Sequence, residues 1–330
     1  MSLSQQSLDA HSNKYIDHQQ LHLFHLIIMS RIAVITRTKN RPLLLNRCLD
    51  SLIRQTYRDF LWVVVNDNGN VEEVDSVVNR AVKLGIPVQV IHRTVSNGVA
   101  AAANDGILRS TSEFIHIHDD DDTLEPSFYS ETVRFLDEKP HYLGVVTSTT
   151  RVDEKIESDH VTVLSCYEYY KFDSTLYIAD LIWKNQFSPI SFVYRRETHK
   201  TLGMYDETLP VLEDWDFNLR FVQLYDIGVV PKFLANYHWR TQTKTGSLAQ
   251  TVTSGSTLHR EFTAIIRNKL LRQDIASGKL SIGSFMVLGR YHQLQSNAAG
   301  LMHDKIDALL LFRRLAKKLL AVLPFKYIRR

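Results

Sequence analysis

Four short apolar segments, at residues 31–36, 60–65, 88–92 and 114–117, recur at spacings of about 30 residues, with helix-patterned stretches between them. Continuous apolar runs of this kind form strands buried on both faces, and helices at that spacing supply the cover. The N-terminal half is therefore expected to be an α/β array with a mainly parallel sheet and right-handed crossovers. The first strand leads into Arg37-Thr38-Lys39-Asn40-Arg41, with Pro42 at a helix N1 position. The second closes in Asn66-Asp67-Asn68-Gly69-Asn70, a turn-forming sequence. Ser96-Asn97-Gly98 caps the third helix, which carries Ala100 to Ala103.

The fourth strand runs into Asp119-Asp120-Asp121-Asp122, followed by Leu124 and Pro126 at an expected helix entry. Neighbouring carboxylates raise one another's pKa unless a cation compensates. Open α/β sheets bind ligands at the C-terminal ends of their strands. Hard oxygen donors there suit Mg²⁺ or Mn²⁺, with phosphate oxygens completing the shell. An acidic run can equally be a solvated turn, so its neighbours decide. Three loops, 37–40, 66–70 and 119–122, are expected at one edge of the sheet, forming a crevice suited to a nucleoside diphosphate.

The chain of 330 residues has room for one large α/β domain with an appendage. Fourteen Lys or Arg against four Asp or Glu beyond residue 257 give the tail +10 and leave the rest at −7. An acidic body with a basic tail argues against a nucleic-acid-binding core and makes an anionic membrane surface a candidate partner for the tail. Cys48 and Cys166 lack metal-ligand spacing and read as reduced cytosolic thiols. No apolar run approaches the roughly 18 residues that span a bilayer.

Five motifs together resemble the inverting family 2 glycosyltransferases of the GT-A fold. They are Thr38-Lys39-Asn40-Arg41-Pro42, Val65-Asn66-Asp67-Asn68-Gly69, Asn97-Gly98 leading to Asn104, the acid run with Pro126 seven residues beyond Asp119, and Leu212-Glu213-Asp214-Trp215-Asp216. The resemblance covers residues 31–240. It implies a Rossmann-like sheet and a nucleotide-sugar donor, usually UDP-linked, with Mg²⁺ or Mn²⁺ as cofactor. Within it, Arg37, Thr38, Asp67, Asn104, Asp119 and Asp120 line the donor pocket, Asp121 is the metal ligand of a DxD motif, and Asp214 is the general base. Each residue also has a structural alternative: Asp67 as an Asx-turn residue, Asp122 as a helix cap, Asp214 as an N-cap, and Asp216 with Arg220 as an i,i+4 ion pair. Trp215 and Trp239 either stack on a sugar or sit in the core.

Two departures from the family pattern stand out. Ala102-Ala103-Asn104 replaces the frequent Ala-Arg-Asn, and Gln242 stands where a metal-binding His often follows Arg240, with His238 before it instead. Either His238 takes over as ligand or the metal relies on Asp121, diphosphate and water, the second being the expectation. Residues 304–323 place apolar and basic side chains on opposing helical faces, the pattern of an interfacial anchor or of a packed helix with a solvated basic face.

The expectation is thus a polar extension over 1–30, a GT-A catalytic domain over 31–250 and a basic helical region over 251–330. The protein would be a cytoplasmic, metal-dependent hexosyltransferase, peripheral on the inner face of the cell membrane. Its acceptor would be a saccharide or lipid-linked saccharide in surface polysaccharide or O-antigen type synthesis. The alternatives are a sugar-phosphate nucleotidyltransferase, for which the loop after the first strand lacks the Gly-rich sequence, and a non-catalytic glycan-binding module.

Overall fold

A computed structural model of the chain describes residues 30–157, 160–240, 242, 246–249 and 256–302 apart from 284, 285, 287 and 292, with positions 305, 310 and 313 beyond. The extension before Ser30 and the helix expected over 304–323, save those three positions, lie outside the described residues. The chain divides into two compact units between Thr263 and Ala264.

The first unit is built on β1 (Ile32–Thr38), every residue of which is buried. It pairs in parallel with β2 (Phe60–Asp67) on one side and β4 (Phe114–Ile117) on the other, and β2 pairs in parallel with β3 (Val88–Arg93). Four crossover helices join these strands to each other and to the rest: α1 (Pro42–Ile53), α2 (Val71–Lys83), α3 (Val99–Leu108) and, after β4, α4 (Phe128–Glu138). The core collects Val34, Leu45, Leu49, Phe60, Trp62 and Val64 between sheet and helices. This is the α/β array expected from the spacing of the apolar segments. Register does the positioning: Arg37 lies beside Val65, Thr38 beside Asn66, and Asp67 beside Arg93.

Beyond β4 the sheet is mixed: the strand Phe192–Arg195 runs antiparallel to β4 and to Gly144–Glu157, while Gly144–Glu157 and Ile227–Trp239 pair in parallel. The sequence pattern reads 188–194 as one strand, assigns no element over 151–175 and reads 227–230 and 234–240 as two strands, and the structure departs from the sequence-based expectation in four places. First, residues 188–194 do not form one strand. Pro189 opens a 3₁₀ turn, Pro189–Ser191, and β8 (Phe192–Arg195) starts after it. Second, the unassigned stretch after residue 150 lies in a hairpin of β6 (Gly144–Glu157) and β7 (His160–Tyr170), the latter mostly exposed although it carries Val163, Leu164 and Tyr167. Third, two expected strands over 227–240 are one, β9 (Ile227–Trp239). Its register with β6 jumps from Thr147↔Val230 to Ser148↔Phe233, a bulge that accommodates Pro231, which has no N–H to donate. Fourth, a two-residue strand β5 (Thr123–Leu124) pairs with β9 where a helix entry was expected, so α4 begins later. The sheet order is β3-β2-β1-β4-β8-β6-β9-β5, with β7 on β6. Short helices α5 (Ile178–Trp183) and α6 (His199–Leu202) and the ten-residue α7 (Glu213–Val222) complete this part, and α8 (Ser256–Ala276) follows. Helical residues continue to Met302, consistent with a helical C-terminal appendage.

Helix α3 lies against β1 and β2 because Gly106 has no side chain: a Cβ there would stand 2.5 Å from Ile35 Cγ2 and 3.2 Å from Val65 Cγ2. Both neighbours are fully buried and cannot swing away. Gly106→Ala is expected to lower the urea midpoint. Overpacking of about 1–3 kcal/mol exceeds the roughly 1 kcal/mol of helix propensity that alanine recovers.

Candidate active site

The three loops expected at one sheet edge meet there. Asn70 N donates to Asn40 Oδ1 (2.8 Å), and Gly69 N donates to Asn66 Oδ1 (2.9 Å). Asn40 and Asn68 adopt φ of 53° and 62°, a left-handed conformation that asparagine tolerates better than most residues. Gly69 is required by the closeness of approach: a Cβ there would lie 2.8 Å from Asn40 N.

Arg37 is the junction. Its Nε and Nη2 donate to the two oxygens of Asp119, each at 2.7 Å, and its Nη1 donates to Glu213 Oε1 at 2.8 Å and to Val99 O at 3.1 Å. One guanidinium therefore ties the strand end to the acid run, to the start of α3 and to the start of α7. Burial alone would lower its pKa, but Asp119 and Glu213 outweigh that and hold it well above the ordinary value.

The four aspartates have separate environments. Asp119 is bound bidentately by Arg37. Asp120 is fully buried, with Arg41 Nη2 3.0 Å from its Oδ1. That contact is close enough for an ion pair but out of line for a hydrogen bond, and neither carboxylate oxygen accepts one within the protein. Burial pushes the Asp120 carboxyl up to about 6, against the pull of Arg41. For Asp121 burial works in the same sense, but Arg240 and Arg41 together outweigh it and hold the carboxyl below the usual range. Arg240 Nη2 is paired with Asp121 Oδ2, and Arg41 Nη1 stands 3.6 Å from the same oxygen. Asp122, a helix cap on one reading of the sequence, instead accepts from His238 N (2.9 Å) and fastens the turn to β9.

The donor-pocket candidates are placed as follows. Asp67 ends β2, with Oδ1 paired to Arg93 and Oδ2 accepting from Ser96 Oγ. Arg93 also reaches Asp105 at 2.8 Å. Thr38 is buried, with its hydroxyl beside the Asp120 carboxylate. Asn104 does not face the crevice. Its amide donates to Tyr205 O (3.0 Å) and Glu207 Oε1 (2.8 Å) and accepts from Tyr205 N (3.1 Å), so it acts on the site only through the loop it holds.

At the start of α7, Leu212 has φ 64°, unusual for a branched residue and a local strain of the kind that clusters at functional sites. The helix then presents Glu213 to Arg37 and Asp214 to Asn185, whose Nδ2 donates to Asp214 Oδ2 at 2.8 Å. Burial first, and the charge of Glu213 second, push the Asp214 carboxyl up to about 7. Asp214 and Asn218 line a small cavity with Ile117, Phe192, Tyr194 and Tyr205. Asp216 and Arg220 form the i,i+4 pair read from their spacing, at 2.8 Å. Trp215 is a core residue whose Nε1 donates to Leu181 O (2.8 Å), whereas Trp239 is half-buried beneath the Arg151 guanidinium, 3.7 Å from its ring centroid.

His238 is occupied on both ring nitrogens, by Glu154 Oε2 (2.8 Å) and Thr123 Oγ1 (2.9 Å), and Gln242 is exposed. Among the described residues no three His, Cys, Asp or Glu side chains are gathered into a metal cage. The partners that sequence reasoning missed are Arg47, Arg93 and Glu154, each brought in from a distant part of the chain. Only the Asp67↔Arg93 juxtaposition had a signal, since parallel pairing of two recognised strands puts their ends side by side.

The sequence profile described as glycosyl transferase family 2 matches residues 33–203. The chain is 27% identical over 202 residues to the uncharacterized glycosyltransferase YwdF of Bacillus subtilis, covering 61% of this chain and 71% of that one. It is 29% identical over 190 residues to a PGL/p-HBAD biosynthesis glycosyltransferase of Mycobacterium bovis, covering 57% and 68%. Its fold resembles S. aureus TarS in complex with UDP-GlcNAc, with a TM-score of 0.52 and 18% identity. That match takes in 72% of this chain and 66% of the other, just under two thirds of its length.

Arg37→Met should leave two mostly buried carboxylates without their cation. A loss of about 3 kcal/mol is expected in chemical denaturation, the low end for a broken buried pair because Asp119 keeps some contact with solvent.

Proposed function

The chain belongs to glycosyl transferase family 2, and on that premise we propose a metal-assisted, inverting transfer of a sugar from a UDP-linked donor to a saccharide or lipid-linked saccharide acceptor. The observation that carries this reading is the tie through Arg37. It brings the turn 119–121 and the turn 213–214 to one crevice at the strand ends. The UDP donor is supported by analogy with TarS, which shares the fold and is seen with UDP-GlcNAc. The mycobacterial relative, named for a biosynthetic pathway, fits a role in glycan assembly.

The residues at the crevice suit a divalent cation held through one protein carboxylate. Asp121 retains partial exposure and is kept anionic by Arg240 and Arg41. Asp119 is taken by Arg37 and His238 by Glu154 and Thr123, so donor phosphates and water would have to complete the shell. A bound Mg²⁺ or Mn²⁺ would supply Lewis-acid stabilisation of the departing diphosphate. Thr38 Oγ1 and the Asp120 carboxylate, which stand beside each other, are the polar groups proposed to meet donor hydroxyls. Asp67 with Arg93 and Ser96 forms the wall proposed for the base. Asp214 accepts the proton of the acceptor hydroxyl, with Asn185 orienting the carboxylate.

A screen of nucleotide sugars for transfer or hydrolysis, with and without Mn²⁺, tests the whole reading. Asp121→Ala should abolish the Mn²⁺ response, and Asp214→Asn should slow transfer at least about 10²-fold. Activity indifferent to chelation and to Asp121→Ala would sink the metal assignment. Since Asp214 must be ionised to act, kcat/KM should rise with pH through about 7 and level off above it. Asn185→Ala removes a hydrogen bond to the ionised form and should move that rise to higher pH.

No helix among the described residues is long and apolar enough to cross a membrane. Peripheral attachment through the basic sequence 304–323 belongs to the same proposal. Truncation before residue 304 should abolish co-sedimentation with anionic vesicles in low salt, and unchanged co-sedimentation would refute the attachment.

A further inference from the structure

Glu154 lies on β6, outside every motif that the resemblance supplied, and is fully buried. A buried carboxylate is expensive unless paired, and this one is paired three times. Arg47 Nη1 donates to its Oε2 at 2.6 Å, His238 Nδ1 is hydrogen-bonded to the same oxygen at 2.8 Å, and Arg240 Nη1 donates to its Oε1 at 3.3 Å. These partners outweigh the effect of burial and bring its pKa down to about 2, so it is an anion throughout the working range.

All three partners reach onward to the acid run. Arg240, itself fully buried, pairs through Nη2 with Asp121 Oδ2 and anchors its Nε on Leu248 O at 2.9 Å. Arg47 Nη2 donates to the backbone carbonyl of Asp121. His238 receives Thr123 on its second ring nitrogen and donates its backbone N–H to Asp122. The carboxylate and the carbonyl of Asp121 are thus gripped by two different arginines, and the two arginines share one counter-ion.

We propose that Glu154 is the positioning residue of the diphosphate end of the site: by dividing Arg240 between two carboxylates and fixing Arg47, it sets the orientation and the availability of Asp121. This rests on the metal-diphosphate reading of Asp121 given above. Without the Glu154 charge, Arg240 has Asp121 as its one remaining carboxylate among these contacts and competes more strongly with any cation for it. Glutamine is nearly isosteric but would turn an amide N–H₂ toward an arginine or the histidine, so it removes both the charge and an acceptor. Groups that orient a metal ligand typically change metal affinity about 10–100-fold when replaced.

The test is calorimetric binding of UDP with Mn²⁺ to the full-length protein, comparing wild type, Glu154→Gln, Asp121→Asn and the double variant. Glu154→Gln should weaken Mn²⁺-dependent UDP binding by about 10-fold or more. The double variant should bind no worse than Asp121→Asn alone, because the effect passes through Asp121. Wild-type affinity in Glu154→Gln, or losses that simply multiply in the double variant, would overturn the inference. No loss in Asp121→Asn itself would instead refute the metal-diphosphate reading beneath it. Should the glutamine variant fail to fold, Glu154→Asp keeps the charge at shorter reach. It should show a smaller loss with the same non-additivity, and simple multiplication there would be equally fatal.

Discussion

Four adjacent carboxylates can occupy one turn only if something prevents them from repelling one another apart, and here the chain brings a different partner to each. Arg37 takes Asp119, Arg41 stands against Asp120, Arg240 takes Asp121, and the backbone of β9 takes Asp122. Those partners come from residues distant in sequence. Once they are in place the turn holds the end of β1, the bulged strand β9 and the hairpin strand β6 together. The ion pairs are geometric devices more than sources of stability, since buried pairs rarely gain much net free energy once desolvation is counted. Their asymmetry is what matters, because losing one partner leaves the other charge stranded.

The sheet makes this possible by delivering strand ends in register. Arg37 is the sixth residue of β1, and the parallel neighbours on both sides bring Asn66-Asp67 and the start of the acid run alongside it. Helix α7 then approaches from a separate part of the chain, and Glu213 closes the circuit on the same guanidinium. A crevice assembled this way has charged walls already paired before any ligand arrives. A donor diphosphate or a cation would enter by exchanging partners with arginines, not by filling a site lined with bare carboxylates.

Much of this was legible in the sequence, and the boundary of legibility has a physical cause. The βαβ half follows from apolar periodicity, and β4 spans the short segment Phe114–Ile117 that its apolar residues mark. The i,i+4 spacing of Asp216 and Arg220 gave their ion pair, while the adjacent Glu213 and Asp214 face Arg37 and Asn185 respectively. The mixed half was harder. Its hairpin strand β7 is mostly solvated, so its apolar residues do not mark a buried face, and a proline bulge splits β9 into what look like two strands. Glu154 fell in that unassigned segment. A single buried glutamate in a strand has no local signature, since its burial depends on Arg47, 107 residues earlier, and Arg240, 86 later. Asn104, which the resemblance puts in the donor pocket, spends its amide on Tyr205 and Glu207, contacts across about a hundred residues that no local pattern announces.

The two carboxylates on which the proposed chemistry rests are pushed in opposite directions by the same low-dielectric surroundings. Burial raises both, but two arginines beside Asp121 reverse the sign there, whereas at Asp214 the neighbouring Glu213 adds to it. Such divergence separates roles: one carboxylate stays anionic across the working range, and the other exchanges a proton near neutrality. The division depends on which charge stands beside each carboxylate. Arg37, paired to Glu213, lowers the Asp214 pKa by less than burial and Glu213 raise it. Because Arg37 binds both Asp119 and Glu213, it fixes the acid run and the start of α7 to one another, while the charge that holds Asp121 anionic comes from other arginines.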